Sequence, residues 1–166
     1  VAIDGRAASG KGTTAKALAR ALGAGWAYLD TGAMYRAVTV AALDAGVDLA
    51  APGASVAVAG IARKARVHLD PQTGGVTIDG RDVTGVIRTQ TVAKAVIVVA
   101  KIREVRTVMM ALQRRFAAEF GSIVAEGRDM GTVVCPGAIV KIFLDATLPE
   151  RARRRFEEER KKGSGV

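Results

Sequence analysis

Apolar positions along the chain follow two periods, and the alternation between them outlines a fold. Val1-Ala2-Ile3 is a short apolar run, and Ala15, Leu18, Ala21 and Leu22 follow at helical spacing after a glycine-bounded turn. Trp26-Ala27-Tyr28-Leu29 reads as a second strand, with Thr31 as N-cap of a helix reaching Ala45, where Gly46 stops it. Pro52-Gly53 marks a loop before a short helix over 54–64. The period then changes. Val67 and Leu69 alternate with polar neighbours, as do Val76 and Ile78, and Asp79-Gly80 is a hairpin turn before Arg81-Asp82-Val83. This predicts a small antiparallel insert, with His68 on its solvated face.

Residues 89–101 and 103–120 read as helices, the second carrying Val105, Val108, Met109, Leu112, Phe116 and Phe120 as a core stripe, with Gly121 ending it. Ile123-Val124-Ala125 predicts one buried strand and Ile139 to Leu144 another, followed by a charged helix over 147–162. Strands alternating with helices imply an α/β protein: a parallel sheet with right-handed crossovers and helices on both faces. The 166 residues make one domain's worth of chain. The single Cys135 excludes an internal disulfide and reads as a small core or edge residue, in keeping with a reducing cytosol. No apolar run is long enough to span a bilayer and no signal peptide is evident, so the expected location is cytoplasmic. The chain starts inside a strand without Met and stops beyond a helix, so a fragment of a longer protein is expected.

The chemistry concentrates after the strands. Gly5-Arg6-Ala7-Ala8-Ser9-Gly10-Lys11-Gly12-Thr13, between a strand and a helix, is a phosphate cradle: glycines let backbone N–H groups converge on anionic oxygens, and the helix dipole adds positive potential. Lys11 is placed for terminal phosphates and Thr13 for phosphate or magnesium. Gly12 between the lysine and the hydroxyl gives a spelling typical of small-molecule and nucleoside-monophosphate kinases. In Asp30-Thr31-Gly32-Ala33-Met34-Tyr35-Arg36, a second helix N-terminus with Arg36 suits the phosphate of an acceptor; Arg36 as a surface ion-pair residue is the alternative. In Glu126-Gly127-Arg128-Asp129-Met130-Gly131-Thr132, Glu126 suits magnesium held through water, Arg128 suits charge between two phosphates, and Asp129 can accept from an exocyclic amine. A structural Arg128–Asp129 pair is the alternative there. Three polar clusters at strand C-termini match the edge where parallel sheets bind ligands.

Net charge is +9, from 25 Lys and Arg against 16 Asp and Glu, with the excess near the C-terminal end at Arg151, Arg153, Arg154, Arg155, Arg160, Lys161 and Lys162. A nucleic-acid arm would need interleaved aromatics, which are absent. A basic helix closing over nucleotide phosphates accounts for the same charges.

In order and spacing, Gly5–Thr13, Asp30–Arg36, Ile87-Arg88-Thr89-Gln90, Gln113-Arg114, Gly127–Val134 and Val140–Ala146 resemble the bacterial cytidylate kinases, across essentially the whole chain. The resemblance implies a three-layer P-loop kinase fold and transfer of the γ-phosphoryl of ATP to CMP or dCMP, with Mg²⁺. It implies one nucleoside-monophosphate kinase domain over 1–166, with an enlarged monophosphate-binding region near 31–95 and a partial lid from 147. It further implies ATP on Gly5–Thr13 and catalysis by Lys11 and Arg128. CMP would lie on Thr31, Gly32, Tyr35, Arg36, Arg88, Arg106, Arg128 and Asp129, with Arg151, Arg154 and Arg155 on the lid. The family continues past Val166, through further lid and nucleotide-contacting residues. Four positions depart from its pattern: Arg6 and Arg103 stand where Pro is usual, Ala8 where Gly is common, and Ile97 where a base-contacting Ser is usual. A monomer without nucleic-acid or membrane partners is expected. The rival expectations are a P-loop kinase for another small acceptor, a basic P-loop module that binds nucleic acid, and an inactive fragment.

Overall fold

The architecture is that of a computed structural model, which describes residues 1–161. Seven strands and six α-helices occur among them: β1 Ala2–Asp4, α1 Lys11–Leu22, β2 Ala27–Asp30, α2 Thr31–Asp44, α3 Ala54–Lys64, β3 Val67–Leu69, β4 Val76–Ile78, β5 Arg81–Asp82, α4 Gln90–Val99, α5 Arg103–Phe120, β6 Ile123–Gly127, β7 Lys141–Phe143 and α6 Leu148–Lys161. A 3₁₀ turn covers Val86–Arg88 and a π turn covers Met130–Val134. The last residues of the expected lid stretch, 162–166, lie outside the described residues. The chain divides into two compact units, residues 1–28 with 122–166, and residues 29–121.

The first unit is built on parallel pairing. The four-stranded sheet has the order β2-β6-β1-β7. β1 pairs in parallel with β6, Asp4 opposite Gly127, and with β7, Asp4 opposite Phe143. A parallel strand covered on its faces needs apolar residues in succession rather than in alternation, and β1 and β6 supply Ala2-Ile3 and Ile123-Val124-Ala125, all buried. α1 closes one face, its small buried positions Ala15 and Ala19 letting it lie close against Ile3, Tyr28 and Val124.

β7 corrects the expectation of a second buried strand: all three of its residues are exposed, Phe143 is 68% exposed and the flanking Ile139 fully so. Its position explains this. Among the described residues β7 lies at the margin of the sheet, with β1 as its one ladder neighbour.

The second unit is centred on α2. Ala33, Met34, Ala37, Val38, Val40 and Ala42 bury nearly every side of this helix, which packs against α3, α4, the 3₁₀ turn and β4. The hydroxyl of buried Thr39 is satisfied within the helix by donating to the Tyr35 carbonyl at 2.8 Å. The antiparallel insert is the sheet β3-β4-β5, with Val67 opposite Ile78 and Leu69 opposite Val76. Asp79 and Gly80 have φ of 51° and 83°, the paired left-handed conformation a two-residue hairpin requires. His68 is exposed, as the alternation implied.

Two further details differ from the sequence reading. Asp30, not Thr31, caps α2: its carboxylate accepts from the Ala33 N–H at 2.9 Å, and Thr31 is the first helical residue, buried. On α5 the core stripe is limited to Val105 and Met109, while Phe116 and Phe120 are half-buried and rest on each other at 4.5 Å. Gln113 is the third buried residue of that helix, and a buried amide one turn past Met109 breaks the apolar pattern.

Gly5, directly after β1, shows why this turn takes no side chain. Its φ is 154°, and a Cβ there would overlap the carbonyl oxygen of Leu144. Gly5→Ala should therefore cost about 2–4 kcal/mol of stability. In urea unfolding it should lower the midpoint while leaving the slope unchanged, and an unshifted midpoint would contradict the packing described.

Candidate active site

In the first unit, β1 and β6 run in parallel and end side by side, so the segments that follow them leave from one rim. The first of these is the loop into α1. Ala8 and Gly10 have φ of 60° and 100°, which turns successive backbone N–H groups to the same side. Gly10 is the N-cap of α1 and contributes no side-chain cap, so this helix opens on the loop with its N–H groups and positive dipole end. Ser9 is buried, and its Oγ has no hydrogen-bond partner. A buried unpaired hydroxyl beside an uncapped helix start is the polar environment that an anion satisfies. Lys11 is 9% exposed and its Nζ donates to the Arg6 carbonyl at 2.7 Å, which places the ammonium against the loop itself. Arg6, Ala7 and Thr13 are exposed.

Ala8 stands out because a left-handed conformation costs a residue with a Cβ roughly 1–2 kcal/mol. Glycine, common at that position in the family the sequence resembles, would not meet this cost.

The second segment on this rim begins with Glu126 at the end of β6. Its Oε1 accepts from the Tyr28 hydroxyl at 2.9 Å, and Tyr28 is itself buried, with Lys16 Nζ 5.3 Å from its ring centre. A Cβ on Gly12 would come within 2.8 Å of the same Oε1, so Gly12 is what admits this carboxylate to the first turn of α1. Arg128 is exposed and Asp129 half-buried. The backbone then enters the π turn, whose first two N–H groups, Met130 and Gly131, donate to Asp4 Oδ1 and Oδ2 at 2.7 and 2.8 Å.

The third segment is α6. Arg154 Nη1 donates to the Ser9 carbonyl at 2.9 Å and its Nε to Glu150 Oε1 at 2.7 Å. Glu150 also accepts from Arg153 Nε and Nη2 at 2.9 and 2.8 Å. Of the other two expected lid arginines, Arg151 donates to the Ala146 carbonyl at 3.2 Å and Arg155 pairs with Glu158 at 3.7 Å. Arg154 thus links α6 to the loop.

The second unit holds the other expected residues. Thr31, Gly32, Tyr35 and Arg36 occupy the first turns of α2. Arg36 Nη1 lies 3.9 Å from Asp30 Oδ2, beyond hydrogen-bond reach. The 3₁₀ turn packed on α2 ends at Arg88, which is exposed, as is Arg106 in the first turn of α5. Ile97, at the position where a serine was expected, is 60% exposed on α4.

Three residues of these arrangements escaped the sequence reading. Tyr28 looked like part of an apolar strand, and Glu150 like one of several helix glutamates. Asp4 sits between an apolar run and a glycine; a lone carboxylate ending a buried strand was the signal available for it.

A strand, a left-handed loop, a lysine at the start of the next helix and a parallel sheet define a P-loop α/β protein of the nucleotide-kinase type. The family model described as cytidylate kinase matches residues 1–166. Proteins named cytidylate kinase from Rhodococcus opacus and Bacillus licheniformis are each 47% identical, over 99% and 100% of this chain and 71% and 72% of their own lengths. One of the same name from Mycobacterium avium is 50% identical over 95% of this chain and 68% of its own. The chain belongs to the cytidylate kinase family.

Glu150 gives the α6 network a pH signature. Hydrogen bonds from Arg153 and then Arg154 lower its carboxyl from the ordinary 4.5 to about 2. A carboxylate with a depressed folded value stabilises the folded state above its unfolded value and loses that contribution as pH falls toward the folded one. Its contribution to stability should therefore be full at pH 5 and decline between about 4.5 and 2, while in the folded protein the hydrogen bonds persist until the carboxyl protonates near 2. An NMR titration of the Glu150 carboxyl carbon checks this, and a midpoint near 4.5 would show the arginines disengaged.

Proposed function

We propose that this chain transfers the γ-phosphoryl group of ATP to the phosphate of CMP or dCMP. An acceptor phosphate oxygen bonds to the γ-phosphorus as the bond to the ADP oxygen breaks, giving ADP and CDP or dCDP. The observation that carries this is the phosphate cradle after β1, with an unpaired buried Ser9 hydroxyl, a lysine turned into the loop, and Arg154 reaching it from α6, in a chain of the cytidylate kinase family.

The acceptor chemistry explains why no serine or histidine base is needed. A nucleotide monophosphate has a second pKa of about 6, so its attacking oxygen is already largely ionised at neutral pH. What remains is to hold two anions in line and offset their repulsion. Gly5–Thr13 hold the ATP phosphates, and Lys11 and Arg128 stabilise charge during transfer. Thr31, Gly32, Tyr35, Arg36, Arg88, Arg106 and Asp129 bind CMP together with Arg128, Asp129 accepting from the cytosine amine. Arg154, with Arg151 and Arg155, shields the reacting phosphates from water.

A divalent cation fits the residues present. Among the described residues no cluster of three or more ligating side chains occurs, and Mg²⁺ characteristically takes one or two protein oxygens and completes its shell with water and substrate phosphate. Glu126, oriented by Tyr28 and facing the first turn of α1, and the Thr13 hydroxyl would hold it. When bound, it screens the phosphate charges.

The proposal places the protein in the cytoplasm as a monomer without a nucleic-acid partner. No helix among the described residues is long and apolar enough to cross a membrane. Three arginines of α6, Arg153, Arg154 and Arg155, pair with Glu150, Glu157 and Glu158 on the same helix.

ADP release should be fast with CMP and dCMP and slow with UMP and AMP; equal rates with all four would reject a cytidine-specific acceptor site. Lys11→Ala should lower transfer by about three orders of magnitude with an unchanged circular dichroism spectrum. Near-normal turnover by that variant would contradict the role given to the lysine.

A further inference from the structure

We propose that Asp4 is a positioning residue for the acceptor, holding the Arg128–Asp129 segment in register with the phosphate loop. The inference rests on the reading of Arg128 and Asp129 as CMP-binding residues.

The first N–H groups of a helical turn have no partner within it and are normally satisfied by the side chain at the cap position. Here the turn Met130–Val134 begins after Asp129, a residue type well suited to capping, yet Asp129 makes no side-chain cap. The two N–H groups go instead to Asp4, some 126 residues earlier in sequence, one to each carboxylate oxygen, at 2.7 and 2.8 Å. Met130 and Gly131 are both buried, so these donors depend on protein partners, and charge-assisted bonds of this length are the strong kind. Asp4, not Asp129, therefore caps this turn.

Asp4 is also fixed at its own backbone. Its carbonyl accepts from the Leu144 N–H at 2.7 Å, it pairs opposite Gly127 on β6, and Gly5 opens the phosphate loop directly after it. One residue therefore ties three things together: the end of β1, the start of the ATP loop and the turn that sets the direction of Arg128 and Asp129. Its carboxylate touches neither nucleotide in this account. It acts through the turn.

The test is steady-state kinetics on Asp4→Asn, with the exchange rates of the Met130 and Gly131 amides measured by NMR on the same sample. Asparagine keeps the shape but sets an NH₂ against a backbone N–H, so one buried donor loses its acceptor. The two amides should exchange faster, the KM for CMP should rise by about tenfold or more, the KM for ATP should stay within about twofold, and selectivity for CMP over UMP should narrow. Asp4→Glu, which keeps both oxygens and displaces the turn, should shift the same KM ratio in the same direction and serves if Asp4→Asn does not fold. Both KM values rising together, or an unmoved KM for CMP despite faster exchange, would overturn the positioning role. A wild-type chain with no preference for cytidine nucleotides would instead overturn the acceptor assignment on which the proposal rests.

Discussion

The parallel pairing of β1 with β6 is the constraint on which the first unit depends. Parallel neighbours point their C-terminal ends the same way, so the two segments that leave them, Gly5–Lys11 and Arg128–Gly131, emerge from a single rim. Neither segment has a regular ladder to satisfy its backbone. Each is held by a few specific contacts: Gly5 under the Leu144 carbonyl, Lys11 on the Arg6 carbonyl, and Asp4 beneath the π turn. A phosphate site needs converging N–H donors, and such backbone cannot be regular. The sheet supplies the rigidity that the loops lack.

Much of this was legible in the residues. The switch from period 3.6 to period 2 near Val67 announced the antiparallel insert, and Asp79-Gly80 gave its turn, because hairpin geometry demands a left-handed pair that few residues tolerate. The phosphate loop was legible for the same reason: its chemistry fixes residue types at fixed spacing. Reading failed mostly where the outcome is decided at long range, and once over local helix phase. Nothing in Ile139–Leu144 distinguishes a margin strand from a central one, since both are apolar and only the sheet order separates them. Thr31 and Asp30 are both good caps, and the choice between them is one residue of helix phase.

The polar partners of the site were harder still. Tyr28 and Glu126 are 98 residues apart in sequence, and Arg154 and Ser9 are 145 apart. No local pattern encodes such pairs. Glu150 shows how a seemingly generic residue acquires a role. On a solvated helix an acid three or four residues before arginines is worth only a few tenths of a kcal/mol. Here the same carboxylate also sets the guanidinium that meets the Ser9 carbonyl, so its worth lies in direction rather than in strength.

Ala8 carries a last consequence. A methyl group at a left-handed position is costly to fold, but it also denies the unbound loop many of the shapes that glycine would sample. A nucleotide arriving at such a cradle has less disorder to remove, so part of the entropic penalty of association is met when the protein folds rather than when the ligand binds.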